Sequence, residues 1–356
     1  MLNFRKRGLL IALILVLSLS LLAIGCGGSG NEDGNTGDNK ASSDKKYTMK
    51  FGSVEPIDAV QHKACEQFKE AVEKATDGNV VVELYPASQL GNARAQIEAT
   101  QMNTQQGVLL PNSNFVGFYP AAAITDLPFL FPNRETTYKI MDGPVGEDYL
   151  NAYDSTGMKV VSLWESGFKQ FTGNFDITQP SDFKGKKIRV MENPVLIAQY
   201  QAMGATATPI NYSETYNALQ QGVVDGEENP LVCIYDMKFH EVQSCVTISD
   251  HGWLPLVVAL NKAWYDELPA EYQTAVKDAA GVARDWLREA IAHEESEVLI
   301  PAFKESGINV IELTQEQKDA FSAVVKEPTV AAARKILDDN GDKLLDEILA
   351  EVEKSK

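Results

Sequence analysis

An α/β fold divided into two lobes is the architecture predicted by this 356-residue sequence, on three grounds. Tyr47 to Val54 alternates as a strand, Ala59 to Thr76 follows as a helix that Gly78 terminates, and Val80 to Tyr85 is a second strand ending at Pro86. Strand, helix and strand in that order imply a right-handed parallel unit. The alternation returns in KKIRVM, where Ile188 and Val190 share one face and Lys187 and Arg189 the other. A helix, a strand, a helix and a last short strand ending at Glu228, Asn229 and Pro230 come next. With 44% hydrophobic residues, a chain of this length buries a substantial core, and its length favours two domains.

The formal charge of −18 makes nucleic acid an unfavourable partner, because phosphate binding needs a basic face. It does not exclude recognition of a small anion by one buried cation. The first 25 residues read as a targeting segment. Arg5, Lys6 and Arg7 form a basic start, Leu9 to Leu22 is almost wholly apolar, and Leu22-Ala23-Ile24-Gly25-Cys26 has the pattern of a bacterial lipoprotein signal. The expectation is a cleaved leader at 1–25, a lipid on Cys26 and a flexible tether over 26–46, since that stretch has too little apolar surface to offset ordering entropy. An uncleaved membrane anchor is the alternative, disfavoured by the short apolar run. The location implied is the cell envelope, on the outer face of the cytoplasmic membrane or in the periplasm.

The remaining elements follow in order. Ser88 to Gly91 leads into a helix from Ala93 to Met102, Gly107 to Leu110 is a short buried strand, and Asp126-Leu127-Pro128-Phe129-Leu130-Phe131 is aromatic in a way more typical of core than of a ligand platform. Met158 to Trp164 is a strand. In the central stretch Ser213 is the expected N-cap of a helix that Gly222 stops, with a strand resuming at Val223 and Val224 and a turn at Asp225-Gly226. Asn229 precedes a proline, so its backbone is biased to be extended, just past a strand end where α/β folds place ligands. Ile248 to Trp253 is followed by a strand from Leu256 to Asn261. A long helix from Pro269 to about Lys304 is expected, kinked at Pro301 and stopped at Gly307. After a strand from Ile308 to Glu312, Thr314 and Gln317 form a capping-box pattern, and about 329–353 is an amphipathic helix.

The sequence carries no sign of catalysis or of a cofactor. It lacks G-x-S-x-G, P-loop and H-E-x-x-H motifs, its four His residues (His62, His240, His251, His293) are dispersed, and Cys65, Cys233 and Cys245 lack zinc-type spacing. A Cys233–Cys245 disulfide and two buried free thiols are equally allowed. From spacing alone, Arg189 beside two lysines is more often a solvated edge than a ligand contact.

The central stretch resembles the solute-binding proteins of tripartite ATP-independent periplasmic (TRAP) transporters, the DctP family. The resemblance lies in Gly185, Lys187, Ile188, Arg189 and Val190, followed by Ala218, Leu219, Gln220, Gly222, Val224, Asp225, Gly226, Glu228, Asn229 and Pro230, with support from Gln89-Leu90-Gly91 and the segment 126–131. It implies a two-lobed periplasmic-binding-protein-like fold with a hinge and a long C-terminal helix spanning both lobes. Lobe I would take 47–166 plus 255–295, and lobe II 167–254 plus 296–356 with the hinge-spanning segment. It further implies an extracytoplasmic receptor, not an enzyme, that binds an organic acid through Arg189 and passes it to membrane permease subunits. Asn229, Tyr212, Glu228, His251, Asn92 and Asn112 stand at or near positions where relatives carry ligand or bracing residues. At the position of Lys169 the family usually has an Arg that acts as a second cation over the ligand, so the resemblance implies a ligand role for Lys169, which keeps the charge and loses the planar fork. A C4-dicarboxylate, a sugar acid and another monocarboxylate remain open as ligand. A secreted lipoprotein enzyme using Lys169 or His251 as base is the alternative of a different class.

Overall fold

A computed structural model describes residues 45–355. The leader, Cys26 and nearly all of the tether lie outside the described residues. The chain opens with β1 (Tyr47–Ser53), α1 (Val60–Ala75) and β2 (Val80–Tyr85), and β2 runs parallel to β1 with Tyr47 opposite Val80. α2 (Ala93–Gln101) returns the chain to β3 (Gly107–Pro111), parallel to β1 on its other edge. Helices α3 (Arg134–Met141) and α4 (Pro144–Asn151) precede β4 (Met158–Gly173). Then come β5 (Lys187–Val190), α5 (Pro194–Ala202), β6 (Thr206–Pro209), α6 (Tyr212–Gln220), β7 (Gly226–Pro230) and α7 (Leu231–Asp236). β8 (Cys245–Asn261) is followed by α8 (Lys262–Asp266), α9 (Ala270–His293), α10 (Ile300–Ser306), β9 (Asn309–Glu312), α11 (Gln315–Ile336) and α12 (Asp339–Lys354).

The strands make one sheet in the order β2-β1-β3-β8-β4-β7-β5-β6, with β9 on β8. Two strands belong to both halves of it. The C-terminal part of β8 pairs with β3 and its start pairs with β9, while the end of β4 pairs with β7. Between these parts β4 and β8 pair with each other through register shifts at Val160/Ser162, Glu165/Gly167 and Lys169/Phe171.

The length of these two strands departs from the sequence expectation, which ended a strand at Trp164 and separated 248–253 from 256–261. Polar residues in 165–170 and Pro255 break the alternation, but each is accommodated. Buried Glu165 accepts from Trp253 Nε1 at 2.7 Å, Tyr138 OH at 2.6 Å and Arg134 Nε at 3.3 Å. Gln170 Oε1 accepts from the amides of Ser249 and Asp250 at 2.7 and 2.9 Å. Pro255 faces Glu165 at the edge of a bulge, where a missing amide donor does least harm.

The long helix is also altered. α9 passes into a π-helical segment, Glu294–Leu299, before α10 starts around Pro301, and Gly307 at φ 83° closes the run. α9 packs on α1 and β4, and Trp164 of β4 donates to Ala280 O at 2.8 Å. The capping box at Thr314 and Gln317 is present, but the tail is divided: α11 ends at Ile336, and Asp338 caps α12 by accepting from Gly341 N. α12, from the segment expected with lobe II, buries Leu344, Leu345, Ile348 and Val352 against a core that includes Phe131, Tyr149 and Ala121.

Candidate functional site

A cavity of about 730 Å³ opens between the two halves of the sheet. One wall comes from the segments beyond β1, β2 and β3 and the start of α2, namely Glu55, Ser88, Asn92, Arg94 and Asn114. The opposite wall comes from the ends of β5, β6 and β7 and the start of α6, contributing Arg189, Asn193, Tyr212 and Asn229. Loops at strand ends form the site because a strand's side chains end there while the chain must still turn.

Arg189 sits in β5, whose alternation leaves Lys187 exposed and buries Ile188 and Val190. The residue as a whole is only 3% exposed, yet among the described residues it forms no ion pair. Nε donates to Ile210 O at 3.0 Å, and no hydrogen bond from its terminal nitrogens is made within the described residues. Burial pulls its pKa down, which Glu227, Tyr212, Glu228 and Cys233 offset in part. An unpaired buried guanidinium is costly, and a planar anion in the cavity would relieve that cost.

Asn229 lies within β7, opposite Gln170, and not beyond the strand end as expected. The strand starts late because the amides of Val223 and Val224 bond back to Ala218 O and complete the end of α6. Asn229 Nδ2 donates to Glu227, which also accepts from Thr172 at 3.1 Å. Burial raises the Glu227 pKa to about 7. The N-cap of α6 is Asn211, not Ser213, so Tyr212 is the first helical residue. Its hydroxyl is buried against the Cys233 thiol, with no oxygen or nitrogen partner among the described residues.

Other expected site residues lie elsewhere. Lys169 does not line the cavity: its ammonium is buried between Asp126 at 2.9 Å and Glu228 at 3.1 Å. Burial opposes its charge, but the two carboxylates raise its pKa above the ordinary value. Glu228 also accepts from Tyr200 OH at 2.8 Å and Gln199 at 3.1 Å, and it pairs with His251 Nε2 at 2.8 Å. Burial alone would raise the Glu228 carboxyl, yet Lys169, His251 and Tyr200 hold it well below the usual range. His251 stacks on Phe171 at 3.8 Å, and burial lowers its pKa. This network underpins the site, since Asn193, on the cavity wall, donates to Asp126 at 2.8 Å. Asn112 is buried among Ala122 O, Thr125, Tyr149 and Tyr153. Asn92 does line the cavity, as the N-cap of α2 accepting from Ala95 N at 3.0 Å.

Sequence reasoning passed over Glu55 and Arg94. Glu55 follows the end of β1 and precedes Pro56, the same combination that singled out Asn229. Arg94 opens α2, where it pairs with Glu98 at 3.1 Å and lies over the Phe118 ring at 5.3 Å. Cys65, Cys233 and Cys245 are all free thiols and buried. Among the described residues no group of His, Cys, Asp or Glu is placed to hold a metal ion, and no helix is long and apolar enough to cross a membrane.

Comparison with known proteins gives one family. The model of bacterial extracellular solute-binding protein family 7, DctP, matches residues 51–335. The C4-dicarboxylate-binding periplasmic protein DctP of Rhodobacter capsulatus is 36% identical over 282 residues, 78% of this chain and 84% of that protein. The 2,3-diketo-L-gulonate-binding periplasmic protein YiaO of Escherichia coli is 33% identical over 276 residues, 77% of this chain and 83% of that one. Among solved structures, a TRAP periplasmic solute-binding protein from Desulfovibrio salexigens with bound orotic acid superposes with a TM-score of 0.84 at 33% identity, covering 87% of this chain and 99% of that one.

Proposed function

The chain belongs to bacterial extracellular solute-binding protein family 7, and from that premise we propose that it is the receptor of a TRAP transporter for a small organic acid held by Arg189. The observation that carries this reading is a buried guanidinium on the wall of a 730 Å³ cavity with no carboxylate paired to it. Its terminal N–H groups match a carboxylate in two parallel hydrogen bonds, and charge-assisted bonds strengthen where water is excluded. Asn229 and Tyr212 supply polar contacts beside it. Lys169, Glu228 and His251 hold the floor in place and leave the ligand to Arg189. Relatives named for a dicarboxylate and for a keto sugar acid, and one crystallised with orotic acid, share a carboxylate and little else.

Delivery follows from the cavity's two walls. An acid on Arg189 that also touches Glu55, Asn92 or Arg94 favours a closed arrangement of two lobes hinged on β4 and β8, and a closed receptor is the form a membrane permease would accept. A lipid on Cys26 would keep the receptor at the membrane surface. The enzyme alternative has no support in the geometry: Lys169 and His251 are enclosed in ion pairs and hydrogen bonds away from the cavity wall.

The test is calorimetric titration of the domain from residue 47 with mono-, di-, keto- and sugar acids, with neutral sugars as controls. One acid class should bind, and Arg189→Ala should lose that binding. Unchanged affinity in the variant would sink the assignment.

A further inference from the structure

Glu55 is a second buried charge-bearing group on the cavity wall, and neither the ion network nor the carboxylate contact uses it. Its backbone is fixed twice over. Glu55 O accepts from Ala87 N at 2.8 Å and Ser53 O from Ser88 N at 3.0 Å, while Pro56 holds the next peptide. Ala87 and Ser88 themselves adopt φ of 51° and 58°, a conformation that persists in non-glycine residues only where the surroundings enforce it. The carboxyl is thereby presented at a set position, although within the described residues it makes no salt bridge. The groups within electrostatic reach of it are Cys65 of α1, Tyr212 of α6, and Cys233 and Asp236 of α7, none of them a cation. Burial and Asp236 push its pKa to about 8, so the group is mostly a neutral acid at pH 7.

Tyr212 and Cys233 lie within reach of both Glu55 and Arg189, so the cavity has two unlike ends bridged by a tyrosine hydroxyl and a thiol. The Arg189 end asks for a carboxylate. The Glu55 end does not, because no buried cation stands there to pair a second charge, and Asp236 lies within electrostatic reach of Glu55. A neutral carboxyl offers one donor and an acceptor, and so does a hydroxyl, so each satisfies the other. The Tyr212 hydroxyl, whose neighbour is the Cys233 thiol, lies beside that path.

Building on the carboxylate reading above, we propose that Glu55 is a specificity-determining residue that selects hydroxylated monocarboxylates over dicarboxylates by hydrogen-bonding a hydroxyl at the end of the ligand away from its acid group.

The experiment is calorimetry on the domain from residue 47, with gluconate, hexanoate and adipate, six-carbon acids that differ at the far end, on wild type, Glu55→Leu and Glu55→Gln. Gluconate should bind best to the wild type. Glu55→Leu should weaken gluconate by about tenfold or more, the value of a lost hydrogen bond with its partner left unsatisfied, while narrowing the gap to hexanoate. Glu55→Gln, which keeps a donor and an acceptor, should recover part of the loss. Adipate binding as tightly as gluconate, or a Glu55→Leu profile parallel to wild type, would overturn the role of Glu55 and leave Arg189 recognition standing. No binding of any acid by the wild type overturns both readings.

Discussion

Two buried cations, 20 positions apart in sequence, take opposite roles because their partners differ. Lys169 sits between Asp126 and Glu228, so Lys169→Met strands two buried carboxylates and should cost about 3–5 kcal/mol in urea unfolding. Arg189 has no such partner, so Arg189→Met should leave the ligand-free stability at or above wild type while losing about 2–5 kcal/mol of acid affinity. Loss of stability in both variants alike would show that Arg189 braces the fold. Glu55 gives the pH signature. Its folded pKa of about 8 exceeds its ordinary 4.5, so the folded state keeps a proton that the unfolded chain releases as pH rises through that window. The stability it contributes is therefore complete below about pH 4.5 and is lost towards pH 8, at no more than about 1.4 kcal/mol per pH unit. Unfolding of the ligand-free protein between pH 5 and 8 should show this decline, and Glu55→Gln should make it shallower, with Glu227 at about 7 and Asp236 at about 6 keeping a residual slope. An unchanged slope in Glu55→Gln would mean that Glu55 ionises as freely as in water.

Short elements were legible because each carries its own start, period and stop. β1, α1 and β2, the Thr314–Gln317 capping box and the Gly307 stop all rest on local physics. β4 and β8 were not, because their middle residues are polar and their fit depends on partners far away in sequence, such as Trp253 for Glu165. Much the same holds for the site. Arg189, Tyr212 and Asn229 lie in one stretch whose pattern drew attention, whereas Glu55 and Arg94 reach the cavity from the other half of the chain, and no spacing rule marks a lone Glu as buried. Lys169 was read as a cation over the ligand because its carboxylate partners Asp126 and Glu228 lie 43 and 59 residues away. At the bulge of β4, Gly167 has φ 109°, and a Cβ there would lie 2.5 Å from Glu295 Oε1 on the π-helical segment. Gly167→Ala should therefore destabilise by about 1–3 kcal/mol in urea unfolding. No loss would mean that the bulge relaxes to a conformation any residue can adopt.

At the scale of the whole molecule, one sheet continues through both halves, which β4 and β8 join, with a cavity between their loops. A ligand can shift an open-to-closed balance only by contacting the two walls differently in each state. Arg189, the proposed anchor, stands on one wall, and Glu55, Asn92 and Arg94 stand on the other. Small-angle scattering of the ligand-free domain and of the domain saturated with its acid should therefore show a smaller radius of gyration on binding. Arg189→Ala should show no change at the same concentration, since the ligand no longer binds. Glu55→Leu, saturated with more ligand, should contract less than wild type, because filling the Arg189 end alone gives the closed state less advantage. Full contraction in Glu55→Leu would place the closing contacts on Asn92 and Arg94 instead. A radius unchanged by saturating acid in the wild type would mean that this receptor already rests closed, with ligand entering through transient opening.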